Sequence, residues 1–276
     1  MNDATETPAE APRKKDSFWK SLLFLVVFAW VLRSLIIAPF SIPSGSMLPN
    51  MYIGDYLFVQ KWPYGYSRYS FPLQIPSFSG RIFAKLPERG DIVVFKLPGQ
   101  ENQDWVKRVI GLPGDRIAVV NGEVFLNGQA LRRVPAGEVG VPISPNSPCK
   151  PLPLSRAALG KDGAVCMTQA FRETLPNGPT YLTLNGLDGS PGDDFAETTV
   201  PEGHLFMMGD NRDDSADSRF PPALGPTGGV GFLPLDHVVG RATVRFWSTD
   251  GSASWINPIS WFTALRGERI GRSYNQ

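Results

Sequence analysis

Residues 21–54 are thirty-four consecutive positions with a single charge, Arg33. Within them, SLLFLVVFAWVL at 21–32 is strongly apolar, and SLIIAPF at 34–40 resumes after the arginine. A helix over residues 18–38 would have 21 residues. At 1.5 Å per residue it would be about 31 Å long, enough for a hydrocarbon core of about 30 Å. Arg33 falls late in the run, where its long stem lets the guanidinium reach the interface. Trp19 suits the other interface, and Pro39 is expected to stop the helix.

The residues before the span set its direction. Arg13, Lys14, Lys15 and Lys20 outweigh Asp16, a local excess of +3. The positive-inside rule then puts the N-terminus inside and the long remainder outside. The expected division is a cytoplasmic tail over 1–17, an anchor over 18–38 and an exterior domain over 39–276. A cleaved secretory leader has the same basic flank and apolar core, and a buried helix of a soluble protein is also apolar. The segment alone leaves these readings open.

Beyond residue 54 the pattern changes to short runs of strand-favouring residues. These are DYLFVQKW (55–62), GDIVVFKL (90–97), WVKRVIG (105–111), YLTLNG (181–186), HLFMMGD (204–210) and HVVGRATVRFW (237–247). DRIAVVNGEVFLNG (115–128) places Asn121-Gly122 between two apolar runs, a hairpin signal. No regular alternation of strand and helix follows, which excludes a parallel-sheet protein. Residues 63–88, 133–180 and 187–200 read as irregular, rich in Pro, Ser or Gly. They are expected to be excursions from a compact β core.

Composition sharpens this picture. The 276 residues include 28 Gly and 26 Pro, a turn-rich balance unlike a helical bundle. A net charge of +1 gives no argument for a nucleic-acid partner. Two histidines exclude a His-rich metal centre, and two cysteines exclude a four-cysteine zinc site. No metal or cofactor is expected. Cys149 and Cys166 lie 17 positions apart in one excursion. In an exported domain they are expected to form a disulfide; two separate buried thiols are the alternative.

Three blocks can carry chemistry. Residues 42–49, IPSGSMLP, follow the span directly; two prolines restrict the loop, and Gly45 permits close approach of Ser44 and Ser46. In the strand at 105–111, alternation puts Lys107 on one face with Trp105 and Val109. Burial there would favour the neutral amine, which can take a proton from a serine. A wet edge lysine is the plainer alternative. The third block, GDNRDDSADSR at 209–219, fits either a solvated loop or a support for an active site; it lacks the spacing of an EF-hand.

The blocks in order, PSGSM (43–47), YIGD (52–55), RGDIVVF (89–95), VKRVIGLPGD (106–115) and GDNRDDSADSR (209–219), resemble the bacterial type I signal peptidases. The resemblance spans roughly residues 20–247 and favours a retained anchor over a cleaved leader. It implies a mainly β fold: an antiparallel catalytic core with a smaller β-rich insert at about 129–200, after one transmembrane helix. It implies Ser46 as nucleophile, Lys107 as general base, and Ser44 with the Ser46 backbone N–H as the oxyanion hole. It makes Ser215 the residue that orients the lysine, Asp217 and Arg219 a supporting ion pair, and Asp210 and Arg212 structural members of that block. Phe40, Ile42, Met47, Val94, Asp104 and Val106 match positions near the substrate groove. Trp105 and Asp214 depart from the tyrosine and asparagine common at those positions.

The implied activity is removal of signal peptides from secretory preproteins after Ala-X-Ala. The implied place is the bacterial inner membrane, with lipid as a partner, translocation machinery nearby and no nucleic acid. Trp255, Trp261 and Phe262 fit either a further contact with the interface or packing in the core. Two other classes remain possible from the residues. A self-cleaving regulatory protease shares Ser-Lys chemistry, but a DNA-binding domain is expected where this chain has its apolar run. The other class is an anchored β domain that binds envelope proteins without catalysis.

Overall fold

The computed structural model describes residues 15–223, 228–254 and 256–274. Arg13, Lys14, the rest of the expected tail up to residue 14, and Trp255 lie outside the described residues. Helix α1 (Lys15–Val31) continues into a wider turn at Leu32–Ile36. Phe18–Ile36 is long and apolar enough to cross a membrane, and its side chains are left almost wholly exposed, Phe24 at 72 %. Pro39 does not end this helix. The chain straightens at Ile37, two residues earlier, and Pro39 sits inside strand β1 (Ile37–Ser41). A residue before proline disfavours helix, and an edge strand tolerates the missing N–H.

Strand β1 pairs antiparallel with β2 (Asp55–Gln60), with Ile37 opposite Gln60 and Ser41 opposite Tyr56. Then come β3 (Ile92–Leu97) and β4 (Gln100–Gly111). The chain next leaves this sheet for β5 (Arg116–Val120), β6 (Glu123–Leu126) and β7 (Gln129–Ala130). It continues through β8 (Arg132–Pro142), β9 (Ser155–Gly160), β10 (Gly163–Thr174), β11 (Thr180–Asn185) and β12 (Phe195–Thr199). It returns with β13 (His204–Met208), β14 (Leu233–Pro234) and β15 (Val238–Ser248). The central sheet has seven strands in the order β1-β2-β15-β3-β4-β13-β14. Between β4 and β13 stand two four-stranded sheets, β12-β5-β6-β7 and β11-β10-β8 with β9 beside β10. The protein is mainly β, with large antiparallel sheets.

The continuous apolar run in β3 is explained by burial on both faces. Ile92 and Val94 join one cluster with Met51, Leu57 and Val106; Val93 and Phe95 join another with Val109, Leu205 and Met207. Asn121 and Gly122, with φ of 49° and 76°, turn the β5–β6 hairpin, the positive-φ pair that matches strand twist.

Two irregular readings are corrected. Residues 133–180 hold β8, β9 and β10, and 187–200 holds β12. These strands lack a clean alternation because few of their side chains are fully buried; β8 buries only Val141. They cohere through cross-strand pairing, with Cys166 opposite Val141 and Ala157. Residues 63–88 do lack strands, apart from an isolated bridge between Tyr66 and Ile82, and turn through short 3-10 segments.

One buried carboxylate holds the central sheet to the C-terminal segment. Asp55 is fully enclosed and accepts from Arg245 at 2.9 Å, Arg269 at 2.8 Å and Ser248 at 2.6 Å. Burial pulls its pKa upward, and the Arg269 guanidinium outweighs this, so the carboxyl stays below its ordinary value. Removing one member of such a group leaves uncompensated buried charge. Asp55→Ala should therefore destabilise the protein by about 3–5 kcal/mol in thermal or denaturant unfolding; a loss under about 1 kcal/mol would contradict this role.

Candidate active site

Ser46 lies in a single tight turn, Gly45–Met47, between the end of β1 and the start of β2. Two bonds from the block after β13 hold this turn: Asn211 N–H donates to Ser46 O at 3.0 Å, and Asn211 Nδ2 donates to Gly45 O at 3.1 Å. Met47 is fully buried in the core and anchors the turn from beneath. It was expected near the groove and instead lies under it.

Strand β4 brings Lys107 to this turn. Its Nζ stands 2.7 Å from Ser46 Oγ and donates to Val106 O at 3.1 Å. The Trp105 ring, on the same face of the strand, has its centroid 5.2 Å from Nζ. Lys107 is 3 % exposed and Ser46 5 %. Loss of water around the ammonium lowers the Lys107 pKa to about 8, against the opposing pull of Asp217, Asp210 and Asp214. Ser44 is exposed, with its Oγ 3.4 Å from Ser46 Oγ.

The three carboxylates that act on Lys107 each have a cation. Asp217 pairs with Arg219 at 2.9 Å. Burial raises the Asp217 carboxyl, and Arg219 and the Gly209 N–H outweigh it, holding its pKa low. Asp210 takes both Nε and Nη2 of Arg108, at 2.8 and 2.7 Å. Asp214 pairs with Lys150. Arg219 also reaches Arg212 O at 2.6 Å and Gly192 O at 3.1 Å, so one guanidinium fastens the whole block.

Ser215 is buried beside this cluster, but its Oγ makes no hydrogen bond to Lys107 and has no partner of good geometry. The expected contact between Ser215 and the lysine is thus not made directly. Several connections were invisible in the sequence. Arg108 joins β4 to Asp210 and stacks on Tyr181 of β11, 4.0 Å from the ring centroid. Glu173 of β10 takes the Arg212 guanidinium, at 2.7 Å from Nη1. A charged residue within an apolar strand, as Arg108 is, was the available signal.

A groove of about 1110 Å³ passes over Ser46 and Lys107. Phe40 and Ile42 form one wall on the approach; Val94, Asp104 and Val106 form the other. Asp104 is held by Lys96 at 2.9 Å. Cys149 and Cys166 are joined by a disulfide with Cα atoms 5.1 Å apart, and Cys166 faces the groove. Among the described residues, no cluster of three or more His, Cys, Asp or Glu is placed to hold a metal ion. The arrangement can present a serine hydroxyl, deprotonated by an adjacent neutral amine, to a carbonyl lying in the groove.

Known proteins resemble this chain over most of its length. The family model described as signal peptidase, peptidase S26, matches residues 16–247. A signal peptidase I of Rickettsia canadensis (strain McKiel) is 38 % identical over 275 residues, 93 % of each chain. One from Rickettsia typhi (strain ATCC VR-144 / Wilmington) is 37 % identical over 273 residues, 92 % of each chain. A crystal structure of a signal peptidase I from Enterococcus faecalis V583 covers 57 % of this chain and 97 % of its own, at 23 % identity and a TM-score of 0.29. That overlap is too loose to transfer structural detail.

Gly209 lies where the block passes under the turn. A Cβ there would stand 2.2 Å from Ser215 Oγ and 2.6 Å from Ser46 O. Gly209→Ala should therefore push the Ser46 turn aside and cost about 1–3 kcal/mol of stability. Thermal unfolding checks this; an unchanged midpoint would mean that the contact is not tight.

Proposed function

The chain belongs to the signal peptidase I family, and from that membership we propose a membrane-anchored serine endopeptidase in which Ser46 and Lys107 form the catalytic dyad. Membership carries signal-peptidase hydrolase activity, preprotein substrates and association with a membrane. The finer reading rests chiefly on one observation, the 2.7 Å approach of Lys107 Nζ to Ser46 Oγ where almost no water reaches.

The mechanism runs on this chain's own groups. Neutral Lys107 takes the Ser46 proton, and Oγ attacks the carbonyl carbon at the cleavage junction. Ser44 Oγ and the Ser46 N–H stabilise the negative oxygen of the tetrahedral intermediate. Collapse breaks the C–N bond, and protonated Lys107 returns its proton to the leaving amine. Lys107 then takes a proton from water, which attacks the acyl-enzyme, releases the carboxylate and restores the Ser46 hydroxyl. The Asp217–Arg219 pair shapes the wall behind the lysine. Ser215 acts on the lysine only through this enclosure or a small shift, since it does not bond to Nζ directly.

The peptide lies extended between the end of β1 and the start of β4, adding backbone hydrogen bonds. Shallow apolar sites at Ile42 and Val94 favour small residues, hence cleavage after Ala-X-Ala. Ser46 is ten residues beyond Ile36, the end of the span, so the reaction takes place close to the membrane surface. We place the N-terminus inside the bacterial inner membrane and the catalytic residues outside, near the translocation machinery. The domain scheme that goes with this is a tail over 1–17, an anchor over 18–38 and an exterior domain over 39–276 with its β-rich insert at about 129–200.

Purified protein should cut a synthetic preprotein after Ala-X-Ala. Ser46→Ala and Lys107→Ala should each lower kcat by about 10³-fold or more while the melting transition is retained. Normal turnover by either variant would remove that residue from the dyad.

The active form carries neutral Lys107, whose pKa is lowered to about 8. Activity should therefore rise through pH 8 and fall about tenfold per unit on the acid side as the amine takes up its proton. A second buried lysine, Lys61, is lowered by burial to about 7 and bonds to Ser70 O at 3.1 Å, away from Ser46. Lys61→Met should leave the profile in place, which assigns the titration to Lys107. A flat profile from pH 6 to 9 would contradict it.

A further inference from the structure

The groove continues past Ser46. It is also lined by Pro148, Lys150 and Leu152 from the loop between β8 and β9, Thr168 from β10, and Asp213 and Asp214 from the block after β13. The Cys149–Cys166 disulfide ties that loop to β10 at the residue before Lys150. The Lys150 ammonium pairs with the Asp214 carboxylate. An ideal Cβ on Gly45 would lie 3.4 Å from Asp214 Oδ2, so this ion pair adjoins the residue before Ser46. Lys150 is 59 % exposed and Asp214 25 %, leaving both open to a ligand in the groove.

The span gives the groove a direction. Strand β1 starts at Ile37, immediately after the span ends at Ile36. Phe40 therefore lies close in the chain to the span, whereas Lys150, on the loop between β8 and β9, pairs with Asp214 beside Gly45. A leader held in the bilayer enters from the Phe40 end. The chain that follows the cut must leave past Lys150 and Asp214.

We propose that this far wall binds the first residues of the mature chain, and that Lys150 is the side chain that sets charge preference there. The inference rests on the endopeptidase reading above. Two carboxylates line this wall: Asp214, paired with Lys150, and Asp213, whose Oδ2 accepts from the Gly186 and Leu187 amides. Lys150 offsets one of them and offers a partner to an acidic side chain after the cut. Without it the wall is acidic, attracting basic side chains and repelling acidic ones. Removing Lys150 also exposes Lys107 to the full field of Asp214. That effect is shared by all substrates and cancels in a ratio between two of them.

The test uses the full chain in detergent micelles and three synthetic preprotein segments. They are identical up to the cut and carry Lys-Lys, Ser-Ser or Glu-Glu directly after it. The readout is the ratio of kcat/KM for Lys-Lys to that for Glu-Glu. Lys150→Ala should raise this ratio about threefold and Lys150→Glu about tenfold, with Lys150→Arg close to the unsubstituted protein. The changes should shrink at about 1 M salt, where the screening length is about 3 Å. A ratio within about twofold of the unsubstituted value in both the alanine and glutamate variants, with Ser-Ser still cut, overturns the inference. If the unsubstituted protein cuts none of the three, the endopeptidase reading fails and the inference fails with it.

Discussion

The site depends on keeping one lysine dry. An ordinary lysine is an ammonium at neutral pH and holds no lone pair for a serine proton. Lys107 is 3 % exposed, and loss of water is the largest influence on its amine. Three carboxylates nearby work against this, because each negative charge favours the protonated form. All three are met by a cation: Asp217 by Arg219, Asp210 by Arg108 and Asp214 by Lys150. Much of the polar block after β13 can be understood as charge held in pairs, so that these carboxylates raise the Lys107 pKa less than unpaired ones would. Such pairs need a rigid frame, because a buried charge that loses its partner is costly.

That frame explains why the chain builds so much structure outside the central sheet. Arg212 is held by Glu173 of β10, Asp210 O accepts from Leu184 of β11, and Asp213 accepts from the Gly186 and Leu187 amides. The sheets formed between β4 and β13 thus brace the loop that braces Ser46. At the other end, Asp55 binds Arg245 and Arg269 and fixes the start of β2, nine residues after the serine. The apolar helix meets the same sheet through β1, so the Ser46 turn follows ten residues after its end.

The parts legible in the sequence were those where burial leaves a pattern. The stretch before residue 37, charged only at Arg33 after Lys20, has the length and apolarity to cross a membrane, and the IVVF run of β3 is unbroken because it is covered on both sides. Asn121-Gly122 marks its hairpin through a conformation few other pairs adopt. Strands β8, β9 and β10 read from the residues as irregular, because strands that bury few side chains show no clear hydrophobic period; family likeness, not pattern, pointed to β structure there. For the site, likeness named Ser46 and Lys107, but nothing in either string says that residues sixty-one positions apart meet at 2.7 Å. The partners of Asp210 and Arg212 were equally hidden, since Arg108 and Glu173 lie in distant strands. Ser215 shows the converse: a residue matched by motif is placed in the cluster without making the bond expected of it.

The most direct test of the account is a measurement of the Lys107 pKa in the folded protein, by the pH dependence of its reaction with an amine-selective reagent, followed by mass spectrometry. The account predicts a midpoint near 8 for Lys107, well below that of exposed lysines in the same digest. A midpoint at the ordinary lysine value of about 10.4 would contradict it, because the neutral fraction of the amine would then be too small to serve as the base for Ser46.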